Sequence, residues 1–384
     1  MNISQYAKYI TIKVVRICLH LFYLKPLNCN KILFMSFGGK QISCNPLYIY
    51  RELHSQYPTL NCIWVITAHN KSQQADIQTV LSGSIMYIYH MLTASCLVTN
   101  DTLPSYLPFR KSQLVINTWH GGGLFKCIWG KATKSENEYN AKVNLLHNKD
   151  TSLYTSSAKV WTEKIAQRCF DYYGEMLPCG MARNDLFFAD TSIITHKVKD
   201  FYHIPQQDAI VLYAPTFRGK SSGATMGTLE VCPVDVLRVV DALKVKYHRR
   251  FHFIFRGHHT ISQSMNNCLN ASAYPDMQEL LASADVFISD FSSCLWDFSL
   301  TYRPCFIYAP DFDEYAMKPG FESDYRRWPF VITKNNDELV NNISLFNLAA
   351  YQERVKCYHQ EYGSYEQGLA AQKIVEFITN KIGL

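Results

Sequence analysis

Short apolar runs alternate with helix-length stretches along most of the chain. Runs such as KILFMS and NCIWVI are typical of buried strands, and the segments between them carry apolar residues at helical spacing. This alternation predicts an α/β fold in which parallel sheets are covered by helices. The first set of strands is predicted at 31–36, 61–66, 84–88, 95–99, 114–119 and 152–155, with helices at 46–56, 73–81 and 159–172.

The same alternation restarts after the connection from Pro205 to Asp208. Two α/β domains are therefore expected, 29–204 and 205–348, followed by helices in 349–384 that cross back to the first domain. The second set has predicted strands at 209–214, 251–256, 285–290 and 304–309, with helices at 234–247, 277–283, 293–301 and 335–347.

Residues 1–28 form a separate basic segment. No acidic residue precedes Glu52, whereas seven Lys and Arg residues do, so residues 1–51 carry a charge of +7. Because the net charge of the chain is +6, the other 333 residues together carry −1. Within 3–23 the pattern predicts an amphipathic helix. Its apolar side consists of Ile3, Tyr6, Ile10, Ile17 and Leu21, and its opposite side of Lys13, Arg16 and His20. Such a helix either lies on an anionic membrane surface or packs on its own domain.

Composition excludes several classes of protein. With 48% hydrophobic and 18% charged residues in 384, the chain is neither disordered nor short of core material. It has no apolar run long enough to cross a bilayer, and its near-neutral body argues against a nucleic-acid partner. Thirteen cysteines without a CxxC pair indicate a reducing compartment, and no metal site, GxGxxG fingerprint or GxxxxGK[ST] loop is present. We therefore expect neither a metal nor a cofactor.

A histidine and three glycines follow the predicted strand LVINTW. Ligands of open α/β sheets bind outside the carboxyl ends of the strands, so residues placed there are candidates for chemistry. Gly121, Gly122 and Gly123 remove side chains beside His120, which would allow a substrate or phosphate to approach while His120 takes a proton. The alternative is an ordinary glycine turn with an incidental histidine.

Three further strand ends in the second domain carry donors or cations. Ser292 and Ser293 open a predicted helix after FISD, where backbone N–H groups and hydroxyls favour an anion, although either serine could simply cap the helix. Arg256 and His258 follow FHFIF, and Arg218 follows IVLY. Together these groups are what a site for a diphosphate leaving group needs.

The order of these motifs resembles the CDP-glycerol glycerophosphotransferase family, which includes teichoic acid primases and polymerases and their capsule-synthesis relatives. The resemblance covers about 30–384. It rests on ILFMSFGGKQISCNP (32–46), WHGGG (119–123), GMARND (180–185), YAPTFR (213–218), FRGHH (255–259) and ADVFISDFSSCLWDFSLTYRPCFIYAPD (284–311). It implies a fold of the GT-B type, with two Rossmann-like domains that face a central cleft.

The resemblance also implies roles for individual residues. His120 matches the family's histidine that is thought to deprotonate the acceptor hydroxyl, and His258 matches a histidine that binds the donor's pyrophosphate. Arg183 and Asp185 belong to the GMARND loop, which we place with the glycines at the cleft. Donor and phosphate binding falls to Arg218, Arg256, Ser292 and Ser293, with Asp290 and Asp297 as flanking acidic residues. Gly122, Gly123, Ala182 and His259 depart from the residues usual in the family, which bears on donor and acceptor identity.

The expected reaction is transfer of glycerol phosphate, or a related polyol phosphate, from a CDP-linked donor to a hydroxyl of a lipid-linked or polymeric acceptor. CMP is released, and the enzyme is expected as a peripheral protein at the cytoplasmic face of the cell membrane, in surface-polymer synthesis. Two alternatives stay open. One is a sugar-nucleotide glycosyltransferase of the same architecture, and the other is a non-catalytic subunit of polysaccharide assembly.

Overall fold

The chain folds into two compact α/β units, seen in a computed structural model that describes residues 1–68, 77–123, 125, 138–216, 234–257, 265–317 and 320–383. The first unit comprises Met1–Gly121, Ile128–Asp185 and Ser364–Leu384, and the second Gly122–Cys127 and Leu186–Gly363. The predicted α/β class is confirmed.

The first unit contains a seven-stranded parallel sheet in the part of the chain that the structure describes. Its strands are β1 (Asn28–Met35), β2 (Asn61–Ile66), β3 (Thr79–Leu81), β4 (Ala94–Thr99), β5 (Leu114–Asn117), β6 (Leu153–Ser156) and β7 (Glu175–Pro178). The spatial order is β3-β2-β1-β4-β5-β6-β7, so the direction of winding reverses between β1 and β4. Such a reversal opens a crevice at the carboxyl ends of the two strands.

Helices cover both faces of this sheet, because β1, β2 and β4 alternate buried side chains to either side. On one face pack α2 (Cys44–Gln56) and a C-terminal helix, Ala370–Ile382, through Leu47, Ile374 and Ile378. The other face is covered by α3 (Ile85–Thr93). Also in this unit are α1 (Ile3–Leu19), α4 (Glu138–Asp150) and α5, which runs from Lys159–Trp161 into a π-helical stretch, Thr162–Cys169.

Two predictions in this unit are wrong. The apolar run at 84–88 is not a strand but the start of α3, where the Ser84 hydroxyl accepts a hydrogen bond from Tyr87 N and caps the helix. Part of the predicted helix 73–81 is instead β3, a short edge strand paired with β2, and 73–76 lie outside the described residues. β7 was not predicted, since EMLP is short and only partly buried.

Helix α1 has no fully buried residue, but Leu19 at its end packs against the core that α3 covers. Arg16 adds polar contacts to the same unit. The Arg16 guanidinium donates to both carboxylate oxygens of Asp150 on α4 at 2.8 Å, and to the carbonyl oxygens of Ser105 and Leu107. The apolar side predicted from the sequence is solvent-exposed in this unit, with exposed fractions between 43% at Ile10 and 91% at Ile3. In the ranges that the structure describes, no helix combines the length and apolar character needed to cross a membrane.

The second unit contains a parallel sheet with six strands among the described residues. They are β8 (Ala209–Tyr213), β9 (Phe251–Phe255), β10 (Leu269–Asn270), β11 (Val286–Ser289), β12 (Cys305–Tyr308) and β13 (Val331–Thr333). The order is β10-β9-β8-β11-β12-β13, and the winding reverses between β8 and β11. The short edge strands β10 and β13 were not predicted.

The helices of this unit are α6 (Ser192–Phe201), α7 (Val236–Tyr247), α8 (Met277–Ser283), α9 (Cys294–Ser299), α10 (Phe312–Met317), α11 (Asn336–Leu345) and α12 (Leu348–Tyr362). Helix α6 packs on α8, with a Lys197–Glu279 ion pair between them, and so belongs to the second unit. The compact units therefore divide after Asp185 rather than near the expected 204. The predicted C-terminal helical stretch is divided. α12 lies in the second unit, and α13 (Ala370–Ile382) lies on α2 in the first.

Candidate functional site

His120 lies at the carboxyl edge of the first unit's sheet, three residues after β5. Its Nδ1 is 2.8 Å from the carbonyl oxygen of Asn100, which directly follows β4. A carbonyl oxygen can only accept, so Nδ1 carries the proton of the neutral ring and Nε2 carries the lone pair. This tautomer is the one a base acting through Nε2 requires.

Burial lowers the pKa of His120 and so favours the neutral ring. The Asn100 carbonyl and the Asp101 carboxylate act in the opposite direction, and the Arg183 guanidinium lowers this pKa further. The imidazole also contacts two aromatic rings. Trp119 stacks on it with centroids 4.3 Å apart, and Phe37, after β1, lies at 5.4 Å.

Arg183 and Asp185, from the loop GMARND, have different surroundings. Arg183 is buried and donates from Nη1 to the carbonyl oxygen of His120 at 2.9 Å, so it touches the loop that carries the histidine. Asp185 instead accepts from the N–H groups of Ala370 and Ala371, the first residues of α13. Burial raises the pKa of Asp185 to about 6. In this unit Asp185 caps a helix, which places its carboxylate in a structural contact.

Gly122 and Gly123 pack against Trp296 of α9, within the second unit. A methyl group at Gly122 would lie 2.5 Å from Trp296 Cδ1, and one at Gly123 would lie 2.9 Å from both Trp296 Cε3 and Phe125 Cε2. Gly123 also has a positive φ of 66°. The absence of side chains at these two positions therefore admits the indole ring, which is a different reason from the expected approach of a substrate. Gly121, just after His120, is half-buried.

Asp290 and Thr216 meet at the point where the second sheet reverses its winding. Asp290 follows β11, and its two carboxylate oxygens accept from Thr216 N at 3.0 and 2.9 Å and from Thr216 Oγ1 at 2.8 and 2.9 Å. Thr216 follows β8, so this pair holds together the two loops that flank the crevice. Thr216 was not among the predicted site residues.

Arg256 follows β9 and points into its own unit. Its Nη1 donates to the carbonyl oxygens of Tyr274 at 2.7 Å and Ala271 at 3.2 Å. Burial lowers the pKa of Arg256, while the neighbouring groups, Cys294 foremost, raise it. The guanidinium thus supports the loop after β10.

The serine turn occupies the segment between β11 and α9. Ser292 Oγ accepts from Cys294 N at 3.2 Å, and Ser293, the residue before α9, makes no side-chain cap. Asp297 is fully buried on α9 and accepts from Gln278 Nε2 at 3.3 Å. Asp297 therefore packs inside the unit, while Ser292, Ser293 and Asp290 share the strand end. His258 and Arg218 lie outside the described residues.

Three contact residues were missed in the sequence: Asn100, Thr216 and Asn45. Asn100 directly follows β4 and Thr216 lies three residues after β8, so the strand-end rule that pointed to His120 would have found them. Asn45 lies in the first turn of α2 and reaches the Trp119 carbonyl through tertiary packing, for which the sequence carries no signal. In the described ranges, no group of three or more His, Cys, Asp or Glu side chains is arranged to hold a metal ion.

A family model described as CDP-glycerol:poly(glycerophosphate) glycerophosphotransferase matches residues 17–380. The chain is 27% identical to a teichoic acid poly(glycerol phosphate) polymerase of Bacillus spizizenii, over 95% of this chain and 96% of that protein. It is 26% identical to a teichoic acid glycerol-phosphate transferase of Staphylococcus aureus, over 91% of this chain and 93% of that protein. The chain spans about half the length of a poly(glycerol phosphate) polymerase of Bacillus subtilis, at 25% identity over 92% of this chain and 49% of that protein.

Solved structures show the same fold. A structure of the wall teichoic acid polymerase TagF superposes with a TM-score of 0.80 and 24% identity, covering 100% of this chain and 98% of the other. A putative UDP-N-acetylglucosamine 2-epimerase from Listeria monocytogenes aligns with a TM-score of 0.52 at 12% identity, over 91% of this chain and 96% of that protein.

Proposed function

The chain belongs to the CDP-glycerol:poly(glycerophosphate) glycerophosphotransferase family, and from this membership we propose that it transfers glycerol phosphate from CDP-glycerol to a growing surface polymer. The single observation that carries the proposal beyond membership is the position of His120. Its hydrogen bond to the Asn100 carbonyl and its lowered pKa favour a neutral imidazole whose Nε2 can accept a proton from the substrate hydroxyl.

The reaction follows from these groups. An acceptor hydroxyl loses its proton to Nε2 of His120, and its oxygen attacks the β-phosphorus of CDP-glycerol. The bond from that phosphorus to the bridging oxygen breaks, and CMP leaves with the electron pair. A polymer terminated by glycerol phosphate supplies the hydroxyl. This acceptor chemistry is supported by the names of the relatives, which are glycerol-phosphate polymerases and transferases.

The second unit is proposed to hold the donor. Charge gathers on the phosphates as the bond to CMP breaks, and cationic or N–H groups placed there beforehand lower the barrier. We assign this part to Arg218 and His258, together with Ser292 and Ser293. The Thr216–Asp290 pair ties the loop after β8 to the loop after β11, which carries Ser292 and Ser293.

The test is CMP release from CDP-glycerol in the presence of a glycerol-phosphate-terminated acceptor. Wild type should release CMP only when acceptor is present, and His120→Ala should lose about 100-fold or more in kcat. His196→Ala, which removes an exposed histidine of α6, is the matched control and should keep the wild-type rate. CMP release that does not depend on His120 refutes its role as base. Release of a nucleoside diphosphate from a sugar nucleotide would instead establish a glycosyltransferase, and turnover of neither donor would favour a non-catalytic subunit.

We also propose that α1 holds the enzyme at an anionic membrane surface, on the cytoplasmic side. The apolar side of α1 is exposed at Ile3, Ile10 and Ile17, and the cations Lys8 and Lys13 of the same helix are exposed as well. Arg16 is used within the first unit, so it is not one of the lipid-facing charges. Because Arg16 binds Asp150 within the first unit, the apolar side of α1 faces solvent.

Vesicle flotation tests this surface. Ile10→Ser/Ile17→Ser should lose binding to phosphatidylglycerol vesicles and retain CMP release on a soluble acceptor. Ile193→Ser/Leu237→Ser removes two comparably exposed apolar side chains from the second unit and should bind as wild type does. Equal flotation of both double variants would refute the role of α1.

A further inference from the structure

The residue before His120 has a backbone conformation that side chains disfavour. Trp119 has φ of +50°, in the left-handed region, where a bulky aromatic residue is an outlier. Such a conformation persists only when surrounding contacts fix it. The contacts that hold Trp119 therefore also decide where the His120 ring points.

Asn45 supplies the main contact to this backbone. It is fully buried in the first turn of α2, and its Nδ2 donates to the carbonyl oxygens of Trp119 at 3.0 Å and Thr118 at 3.4 Å. On the other side of the peptide, Trp119 N donates to Asn117 Oδ1 at 2.9 Å. One amide side chain thus holds two successive carbonyls.

Arg183 extends the same network by one residue. Its backbone N donates to Asn45 Oδ1 at 3.1 Å, which fixes the orientation of the Asn45 amide. Its Nη1 donates to the carbonyl oxygen of His120 at 2.9 Å and to Cys44 Sγ at 3.0 Å. Three successive carbonyls, from Thr118 to His120, are therefore held by two side chains from distant parts of the sequence.

We infer that Asn45 and Arg183 are positioning residues, which hold the Thr118–His120 backbone so that His120 keeps Nδ1 on the Asn100 carbonyl and presents Nε2 to the acceptor. This rests on the proposed function, in which His120 is the base. When a catalytic base is displaced by about 1 Å, the reaction becomes much slower even if the substrate still binds, because the reacting atoms are no longer aligned.

Arg183 also acts on His120 through its charge. Burial has the largest influence and lowers the pKa of the ring, the Asn100 carbonyl and Asp101 raise it, and Arg183 lowers it. Removing the guanidinium charge should therefore raise the pKa of His120. His120 would then be protonated at a higher pH, so the acid limb of the pH–rate profile would move to higher pH.

The experiment compares Asn45→Ala, Arg183→Gln and Arg183→Lys in the full chain with Gln113→Ala as the matched control. Gln113 is buried at the opposite end of β5, where its Nε2 donates to the Met91 carbonyl, so this variant loses a similar hydrogen bond far from His120. Asn45→Ala should lower kcat for CMP release by about 10- to 100-fold with the KM for CDP-glycerol within about twofold. Arg183→Gln should do the same and shift the acid limb upward, whereas Arg183→Lys keeps the charge and leaves the limb in place.

Titration of the His120 ring by NMR of 13C-histidine-labelled protein gives a readout independent of turnover. Its signal is assigned with His120→Gln, and its pKa should rise in Arg183→Gln and not in Gln113→Ala. A kcat for Asn45→Ala equal to that of Gln113→Ala, or an unchanged His120 pKa in Arg183→Gln, overturns the inference. If His120→Ala itself retains full activity, the proposed base has failed instead, and the NMR shift still reports on the network. Should Asn45→Ala not fold, Asn45→Ser provides the same comparison with a smaller loss of hydrogen bonding.

Discussion

A methyl group added at Gly122 should destabilise the second unit by about 2–3 kcal/mol. Gly122 is buried, and its φ lies outside the left-handed region, so alanine suits its backbone. The added carbon would nevertheless lie 2.5 Å from Trp296 Cδ1 and 3.0 Å from Nε1. Carbon atoms in contact prefer about 3.5–4.0 Å, so the overlap is on the order of 1 Å.

The indole has little room to move. Trp296 is fully buried, and its ring packs edge-to-face on His359 at 4.5 Å and on Tyr358 at 5.8 Å. His359 is itself held by a hydrogen bond of 2.8 Å between its Nε2 and Ser299 Oγ. Relief of the overlap therefore requires movement of α9 or of the glycine loop, and overpacking of this kind costs about 1–3 kcal/mol, occasionally more.

A double-mutant cycle measures this contact. Thermal unfolding by circular dichroism, with hydrogen exchange of α12 as the local probe, should show the loss for Gly122→Ala in the wild-type background. In Trp296→Leu, whose side chain can turn away from the methyl group, the same change should cost less than about 1 kcal/mol. Gly83→Ala is the control, since nothing lies within 4 Å of its added methyl and only its positive φ of 81° is strained. Wild-type stability of Gly122→Ala, or an equal loss in both backgrounds, would refute the steric reasoning.

Three further predictions concern single groups. The rate of CMP release should stay high below pH 6.5, because burial lowers the pKa of His120 and the base is lost only on protonation; a midpoint at or above that pH would contradict the assignment. Arg16→Met should destabilise the first unit by about 3 kcal/mol, since it leaves the buried Asp150 carboxylate unpaired, and should speed hydrogen exchange in α1; unchanged exchange there would show that other contacts suffice. Asp185→Ala leaves two N–H groups of α13 without their acceptor and should cost about 1–2 kcal/mol, with faster exchange confined to that helix; exchange that rises equally in α2 would argue against a capping role.

Central strands were predictable from the sequence because burial on both faces leaves an unbroken apolar run. KILFMS, NCIWVI and AIVLYA are such runs, and each lies on a strand of the structure. Edge strands β7, β10 and β13 are short and half-covered, so they carry no such run. The segment IMYIY at 85–89 is apolar on all sides yet helical. Ser84 caps it, and Ile85 and Met86 remain exposed, which an apolar run alone does not reveal.

Some features of the candidate site were likewise predictable from the sequence, and others were not. The strand-end rule pointed to His120, Ser292 and Ser293, because chain connectivity alone places a residue after a strand at the carboxyl edge of its sheet. Asp290 was implied only by the family resemblance. The rule did not show that Asp185 caps α13 or that Asp297 is buried, since both depend on which distant segment packs there. Nor did it show that Gly122 makes room for Trp296, because a glycine in a motif does not reveal its neighbour.

The first unit is built from both ends of the chain, which matters for the order of events during synthesis. Its core includes Ala370, Ile374 and Ile378 of α13, packed with residues of α2 and the central strands. A ribosome delivers these side chains only after the whole of the second unit, which ends at Gly363. The second unit can therefore fold first. Until α13 is synthesised, one apolar face of β1, β2 and β4 stays partly exposed, where it can bind chaperones or aggregate. A premature stop near residue 364 would leave the second unit intact, yet it would deprive the first unit of α13 and so of part of its core.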